Sequence, residues 1–216
     1  MSLGLRDFLE PPLVAAILAL FVRTWLLQIF AIPTASMEPN LAVGDHLWVN
    51  KFVYSPVVEP WEERWLPVRD PQRGDVVVFR YPPEPERFYI KRCLGLAGET
   101  VTIEDKALSI DGVEIREEGY AVFVDETVYS RSLFLEDGFR KRDNYGPYVV
   151  PPGHAFCLGD NRDDSNDSRV WGPVSRDLMR GQALAVLWRN SSGRAAGPRG
   201  ETEEESPQRA TPRWVR

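Results

Sequence analysis

The sequence predicts a mainly β protein, an antiparallel barrel or sandwich domain carrying one N-terminal transmembrane helix. Three observations point there. Short runs rich in β-branched and aromatic residues recur between Gly, Pro and Asp turn signals, with no helical period. Proline is frequent, 18 of 216 residues, which disfavours an all-helical chain. The exception lies near the N-terminus, where Leu13–Val22 reads LVAAILALFV and 17 of the 20 positions from Leu13 to Ile32 are apolar.

After a short segment 1–7, that apolar run predicts an anchor over residues 8–31. Twenty helical residues span about 30 Å, the hydrocarbon thickness of a bilayer. Pro11 and Pro12 suit the first turn of such a helix. Arg23 is costly at mid-bilayer and fits best at the outer interface, with the helix running from about Phe8 to Val22. A cleaved leader would want a basic start, yet Arg6 is offset by Asp7 and Glu10; Ala31 and Ala35 still leave a processing site open. A core helix is rarely apolar all round in a chain this small. The flanking charges are too balanced to set an orientation.

Residues 32–190 form the predicted β domain. Val43–Tyr54, Gly74–Tyr81 and Phe88–Leu96 are strand-like, and Glu99–Ile115 reads as short strands around turns at Glu104–Lys106 and Asp111–Gly112. The segment ending YVVPPGHAFCLGDN and the run Gln182–Arg189 supply the last strands. Residues 55–73 and 116–146 read as charged, Pro- and aromatic-rich excursions. Residues 191–216 hold few apolar side chains and predict a disordered tail.

Composition removes several function classes. The net charge of −6 argues against a dedicated nucleic-acid binder. Two histidines far apart, His46 and His154, with no HExxH or CxxC, point away from a metal site. The acidic segment Gly159–Arg169, GDNRDDSNDSR, lacks the glycine and closing glutamate of an EF-hand, and its interleaved arginines suggest ion pairs within it. No cofactor is expected. Neither histidine has a motif that would activate a nucleophile. Cys93 and Cys157 sit in apolar strands and read as buried thiols, and the sequence leaves open whether they meet.

A serine with a lysine remains. Ser36 lies in the irregular, Pro-bounded IPTASMEPN, just past the apolar run. A serine hydroxyl needs a base, and a lysine serves only when neutral, far from its usual pKa of about 10.4. Burial without a counter-ion lowers it. The chain has four lysines, Lys51, Lys91, Lys106 and Lys141. Lys106 falls in a turn and Lys141 in RKRD, both expected to be solvated; Lys51 ends a strand. Lys91 alone sits inside an apolar strand, FYIKRCL, where alternation puts it on the Tyr89/Cys93 face, opposite Phe88, Ile90, Arg92 and Leu94. On its own, an amphipathic lysine in a strand is more often structural than catalytic.

IPTASMEPN, RGDVVVF, YIKRCLGLAGE and GDNRDDSNDSRVWGPV, in that order behind an apolar segment, resemble the sequence blocks of bacterial type I signal peptidases (leader peptidases) over residues 8–188. The resemblance implies a membrane-anchored endopeptidase with a Ser/Lys dyad. It would remove signal peptides from secretory preproteins on the extracytoplasmic face of the cytoplasmic membrane. Ser36 then matches the nucleophile and Lys91 the general base. Ser165 matches the serine that orients the lysine, and Thr34 the hydroxyl that helps the Ser36 N–H hold the oxyanion. Asp167 and Arg169 match a structural ion pair, with Asp160 and Arg92 as a similar one. Phe30, Ile32, Pro33, Met37, Leu41, Tyr89 and Ile90 would line shallow pockets for small side chains of an Ala-x-Ala motif. An extended substrate would add as a β-strand beside Phe30–Thr34 and the Lys91 strand. The implied partners are preproteins and membrane lipid, not nucleic acid, and the implied state is a monomer. Thr34 stands where other members carry serine, and residues 116–146 and the tail match no block. A dedicated or organellar peptidase with the same dyad, and an inactive membrane-tethered β domain, remain as alternatives.

Overall fold

The computed structural model describes residues 5–21, 27–54, 68–130, 141–188 and 213–215. Most of the expected excursion 55–73 and part of 116–146 lie outside these, as does most of the tail. One helix, α1 (Leu5–Phe21), is followed by β1 (Leu27–Ala31), β2 (His46–Asn50), β3 (Val76–Tyr81), β4 (Glu84–Gly95), β5 (Thr100–Glu104), β6 (Ala107–Ile110), β7 (Val113–Glu114), β8 (Tyr145–Val149), β9 (His154–Leu158), a one-turn helix α2 (Ser168–Trp171), β10 (Val174–Ser175), β11 (Met179–Trp188) and β12 (Arg213–Trp214).

The N-terminal expectation is met only in part. The Leu/Ala-rich run does form a helix, but from Leu5, so Pro11 and Pro12 lie inside it rather than in its first turn. No described helix is long and apolar enough to cross a membrane, so the span itself is not shown. Leu27–Ala31, placed in the anchor by its apolarity, is instead a strand paired antiparallel to β2 along its whole length. Cross-strand pairing, not intrinsic preference, decided those five residues. Phe8, Leu9, Leu13, Val14, Ile17, Leu18 and Leu20 of α1 are all exposed.

The β prediction holds as antiparallel sheets, but no barrel closes among the described residues. The larger sheet runs β1-β2-β11-β3-β4-β9-β10, with β12 also on β11, and the smaller runs β7-β6-β5-β8. The turns between β5, β6 and β7 fall where the sequence put them, with left-handed backbone at Asp105, Lys106, Asp111 and Gly112. The four residues Val76–Phe79 are buried in succession because the larger sheet is covered on both faces. Val76, Val78 and Ile90 face a core with Ile32, Met37, Leu41, Leu47 and Val49. Val77, Phe79, Cys93 and Cys157 face a second core. A third joins Leu94, Phe156 and Leu158 to the small sheet.

The tail is not structureless throughout. Trp214 pairs with Ala185 and Arg213 with Val186, and Val215 packs against the first core.

Candidate active site

Ser36 sits in a 3-10 turn, Ala35–Met37, entered from extended Thr34. The turn follows β1 because Pro33 ends the pairing. The Ile32 N–H and C=O are claimed by Asp45 and Gly44 at 2.9 and 2.8 Å. By strand alternation, the Ala31 and Pro33 backbones then face away from β2. Ser36 and Met37 are buried, and the Ser36 carbonyl accepts the Asn161 N–H at 3.1 Å.

Lys91 lies mid-way along β4, opposite Val77 of β3. The alternation read from the sequence is realised: Tyr89 and Cys93 pack with the second core and Ile90 with the first. The Lys91 Nζ and Ser36 Oγ are hydrogen-bonded at 2.5 Å, and Nζ also donates to the Ile90 carbonyl at 3.2 Å. Two residues 55 apart in the chain thus meet in a buried pair.

Lys91 is 2% exposed, and burial pushes its pKa down to about 8. Asp167 and Asp160 pull the other way, while Arg169 adds to the lowering. Each carboxylate is answered by its own arginine. Asp167 receives Arg169 Nε and Nη2 at 2.9 and 2.8 Å, and Asp160 receives Arg92 Nε and Nη2 at 2.8 and 2.7 Å. Burial alone would raise the Asp167 carboxyl; Arg169 and the Gly159 N–H hold it below the usual range. The neighbourhood therefore offers Lys91 little net negative charge.

Thr34 Oγ1 is 3.4 Å from Ser36 Oγ and is not spent on capping the turn. The Ser165 hydroxyl is buried, close enough to Asp167 to help lower it, yet outside hydrogen-bond geometry with any described group. Its place beside the dyad follows from Gly159. A Cβ built there would collide with the Ser165 hydroxyl and meet the Ser36 carbonyl at 2.5 Å. Gly159, unremarked in the sequence, is the position where the Gly159–Arg169 segment touches the Ser36 backbone. Its signal was present: a glycine between a buried strand and an Asp-Asn pair marks a close backbone approach.

Both ion pairs implied by the resemblance form, Asp167 with Arg169 inside the segment and Asp160 with Arg92. The other charges do not pair within the segment as its composition suggested: Arg162 reaches Glu117, and Asp163 reaches Lys106 at 3.1 Å. Lys106, expected in solvent, is held by Asp163 and by the Lys106 Nζ contact with the Asp125 carbonyl. Among the proposed pocket residues, Ile32, Met37, Leu41 and Ile90 share one core with Phe30 against it. Pro33 is exposed. Tyr89 lies on the other face, stacked on Tyr81 with ring centroids 4.2 Å apart. Phe30 of β1 and Phe88 of β4 touch, centroids 5.5 Å apart, so the two strands approach just before the dyad.

The family model described as signal peptidase, peptidase S26, matches residues 5–188. The chain belongs to the signal peptidase family, peptidase S26. It is 39% identical to the signal peptidase I of Pseudomonas aeruginosa over 176 residues, covering 75% of this chain and 62% of that one. It is 33% identical to the signal peptidase I of Aquifex aeolicus over 218 residues, covering 78% of each. A crystal structure of a signal peptidase I from Enterococcus faecalis aligns with 53% of this chain and 97% of that chain, at 30% identity and a TM-score of 0.39. The chain spans about three-fifths of the length of the Pseudomonas relatives.

Proposed function

We propose that this chain is a serine endopeptidase that cleaves signal peptides from secretory preproteins after small residues of the Ala-x-Ala type. The observation that carries the reading is the buried 2.5 Å contact between Ser36 Oγ and Lys91 Nζ. With its pKa near 8, a useful fraction of Lys91 is neutral at physiological pH. The neutral amine donates to the Ile90 carbonyl and turns its lone pair to the Ser36 hydroxyl. As Oγ attacks the scissile carbonyl, its proton passes to Nζ. The ammonium then protonates the leaving amine, and the regenerated amine activates the water that hydrolyses the acyl-enzyme. Ser165, whose buried hydroxyl bonds no described group in this state, orients the amine once that hydroxyl turns to Nζ. The Ser36 N–H, in the first turn of its 3-10 element where no intrahelical carbonyl claims it, binds the oxyanion together with the Thr34 hydroxyl.

Substrate binding uses the two edges that converge on the dyad. Among the described strands, β1 pairs only with β2, and the Glu84–Ile90 part of β4 pairs only with β3. An extended peptide laid between them gains backbone hydrogen bonds on both sides. Its alternate side chains meet the Ile32/Met37/Ile90 core, where little room favours alanine.

The apolar, exposed face of α1 fits association with the lipid of the cytoplasmic membrane, with the β domain (residues 32–190) on the extracytoplasmic side. The protein acts as a monomer, without cofactor. The test is cleavage of an Ala-x-Ala preprotein in detergent. Ser36→Ala and Lys91→Ala each lower turnover by about 10³-fold or more, and Lys91→Arg is equally dead because guanidinium stays charged. An active Lys91→Arg enzyme would overturn the general-base role.

A further inference from the structure

Two buried nucleophiles have no task in the proposed reaction. Cys93 of β4 and Cys157 of β9 are fully buried free thiols. They are direct cross-strand partners in the β4–β9 ladder. Neither spends its N–H on the other: Cys93 donates to the Asp75 carbonyl at 2.8 Å, and Cys157 donates to Ser168 Oγ at 2.9 Å. The Cys93 carbonyl likewise turns away, accepting from Gly74 at 2.7 Å. In such a non-hydrogen-bonded pair, Cα atoms stand about 4.5 Å apart and side chains lean together. That separation lies within the roughly 4.4–6.8 Å that a disulfide spans. In the reduced pair the Cys157 thiol donates to the Ala155 carbonyl at 3.8 Å.

Their location gives the pair a consequence. Cys93 follows Lys91 by two residues on the same face of β4, and Cys157 precedes Gly159 by two. The two strands carry the amine and the segment that frames it.

We propose that Cys93 and Cys157 are a redox pair, closed by a disulfide oxidant into a cross-strand bond that fastens the Lys91 strand to the strand leading into Gly159–Arg169. The inference rests on strand register and holds whatever the substrate. With glutathione disulfide as oxidant, one cysteine thiolate attacks a glutathione sulfur and expels a glutathione thiolate. The second cysteine attacks the mixed disulfide and expels the other. The protein dithiol loses two electrons, glutathione disulfide gains them, and the two thiol protons end on two glutathione molecules. Because both thiols are buried, exchange proceeds while the chain is still open during folding, and the finished bond is shielded from reductant.

The test refolds the full chain from denaturant in a glutathione redox buffer, and in parallel in dithiothreitol. Expected after oxidative refolding are an intact mass lower by two hydrogens, no thiol alkylatable in denaturant, and one linked peptide pair containing Cys93 and Cys157. The thermal midpoint should exceed that of the reduced protein by roughly 5–10 °C. Cys93→Ser and Cys157→Ser should each melt at a temperature indifferent to the redox buffer, with Cys93→Ala as the substitute if the serine variant does not fold. Two alkylatable thiols in oxidatively refolded protein, or glutathione adducts in place of the internal bond, would overturn the proposal. So would a bond that leaves the melting temperature unchanged.

Discussion

Lys91 and Arg92 are neighbours on β4, each 2% exposed, and they are buried in opposite ways. Arg92 points to Asp160 and grips both carboxylate oxygens, donates to the Gly74 carbonyl at 3.0 Å, and lies over the Tyr120 ring at 4.6 Å. Lys91 points to the other face, and among the described residues no carboxylate comes within ion-pair distance of its Nζ; its partners are a hydroxyl and a carbonyl. The difference follows from what each group can do when desolvated. Guanidinium cannot release its proton, so burying it demands a carboxylate. A lysine answers the same desolvation by becoming neutral. One strand therefore holds, side by side, a paired cation and the amine proposed as the base.

The comparison breaks hardest at the arginine. Asp160→Ala leaves Arg92 buried without its counter-ion, and breaking a buried pair from one side costs about 3–5 kcal/mol. A fall of that size in unfolding free energy, read by urea titration, is the expected outcome. Adding Arg92→Met should restore much of the loss, since two apolar groups leave no orphan charge. If Asp160→Ala is neutral, Arg92 is not fully desolvated and the contrast with Lys91 fails.

What the sequence disclosed divides along the same line. The Ser36–Lys91 pairing was legible through the sequence blocks that resemble the family, which the residues alone did not decide: of four lysines, one sat in an apolar strand, with Tyr89 and Cys93 on its face. The register that sets Cys93 against Cys157 was not, since strand pairing between distant segments leaves no local mark. Nor was β1, because LQIFA continues an apolar run without a break signal and only its pairing with β2 makes it a strand. Lys106 looked solvated because its turn did; Asp163, far along the chain, holds it in place. The terminal pairing of Arg213–Trp214 with β11 was hidden by the polar stretch before it.

The lysine side of the comparison sharpens with Lys91→Met. A basic group whose pKa falls to about 8 on folding binds fewer protons folded than unfolded between that value and about 10.4. Well below pH 8 both states are protonated and the buried ammonium costs the fold on the order of 3 kcal/mol. That cost is recovered as pH rises through the window. Lys91→Met keeps the apolar stem and removes the charge, so it should melt higher than the parent at pH 7, with the difference shrinking towards pH 10. A variant that melts lower at pH 7 would mean the amine is better solvated than its burial implies.

The smallest effect is the most diagnostic of function. If neutral Lys91 takes the Ser36 proton, the rate follows the fraction of unprotonated amine in the free enzyme, and kcat/KM reports that ionisation. The profile should climb about tenfold per pH unit below the amine's pKa and level off above pH 8, where the amine is already neutral. Asp167 sits nearby as a paired anion, raising the Lys91 pKa from a distance while Arg169 opposes it. Arg169→Met should remove that opposition and leave Asp167 facing Lys91 alone. The ascending limb then moves to higher pH and activity at pH 7 falls, while the plateau rate at high pH is largely kept in enzyme that remains folded. A limb that stays in place, with a lowered plateau instead, would show that Arg169 acts on the shape of the Gly159–Arg169 segment and not on the proton affinity of the amine.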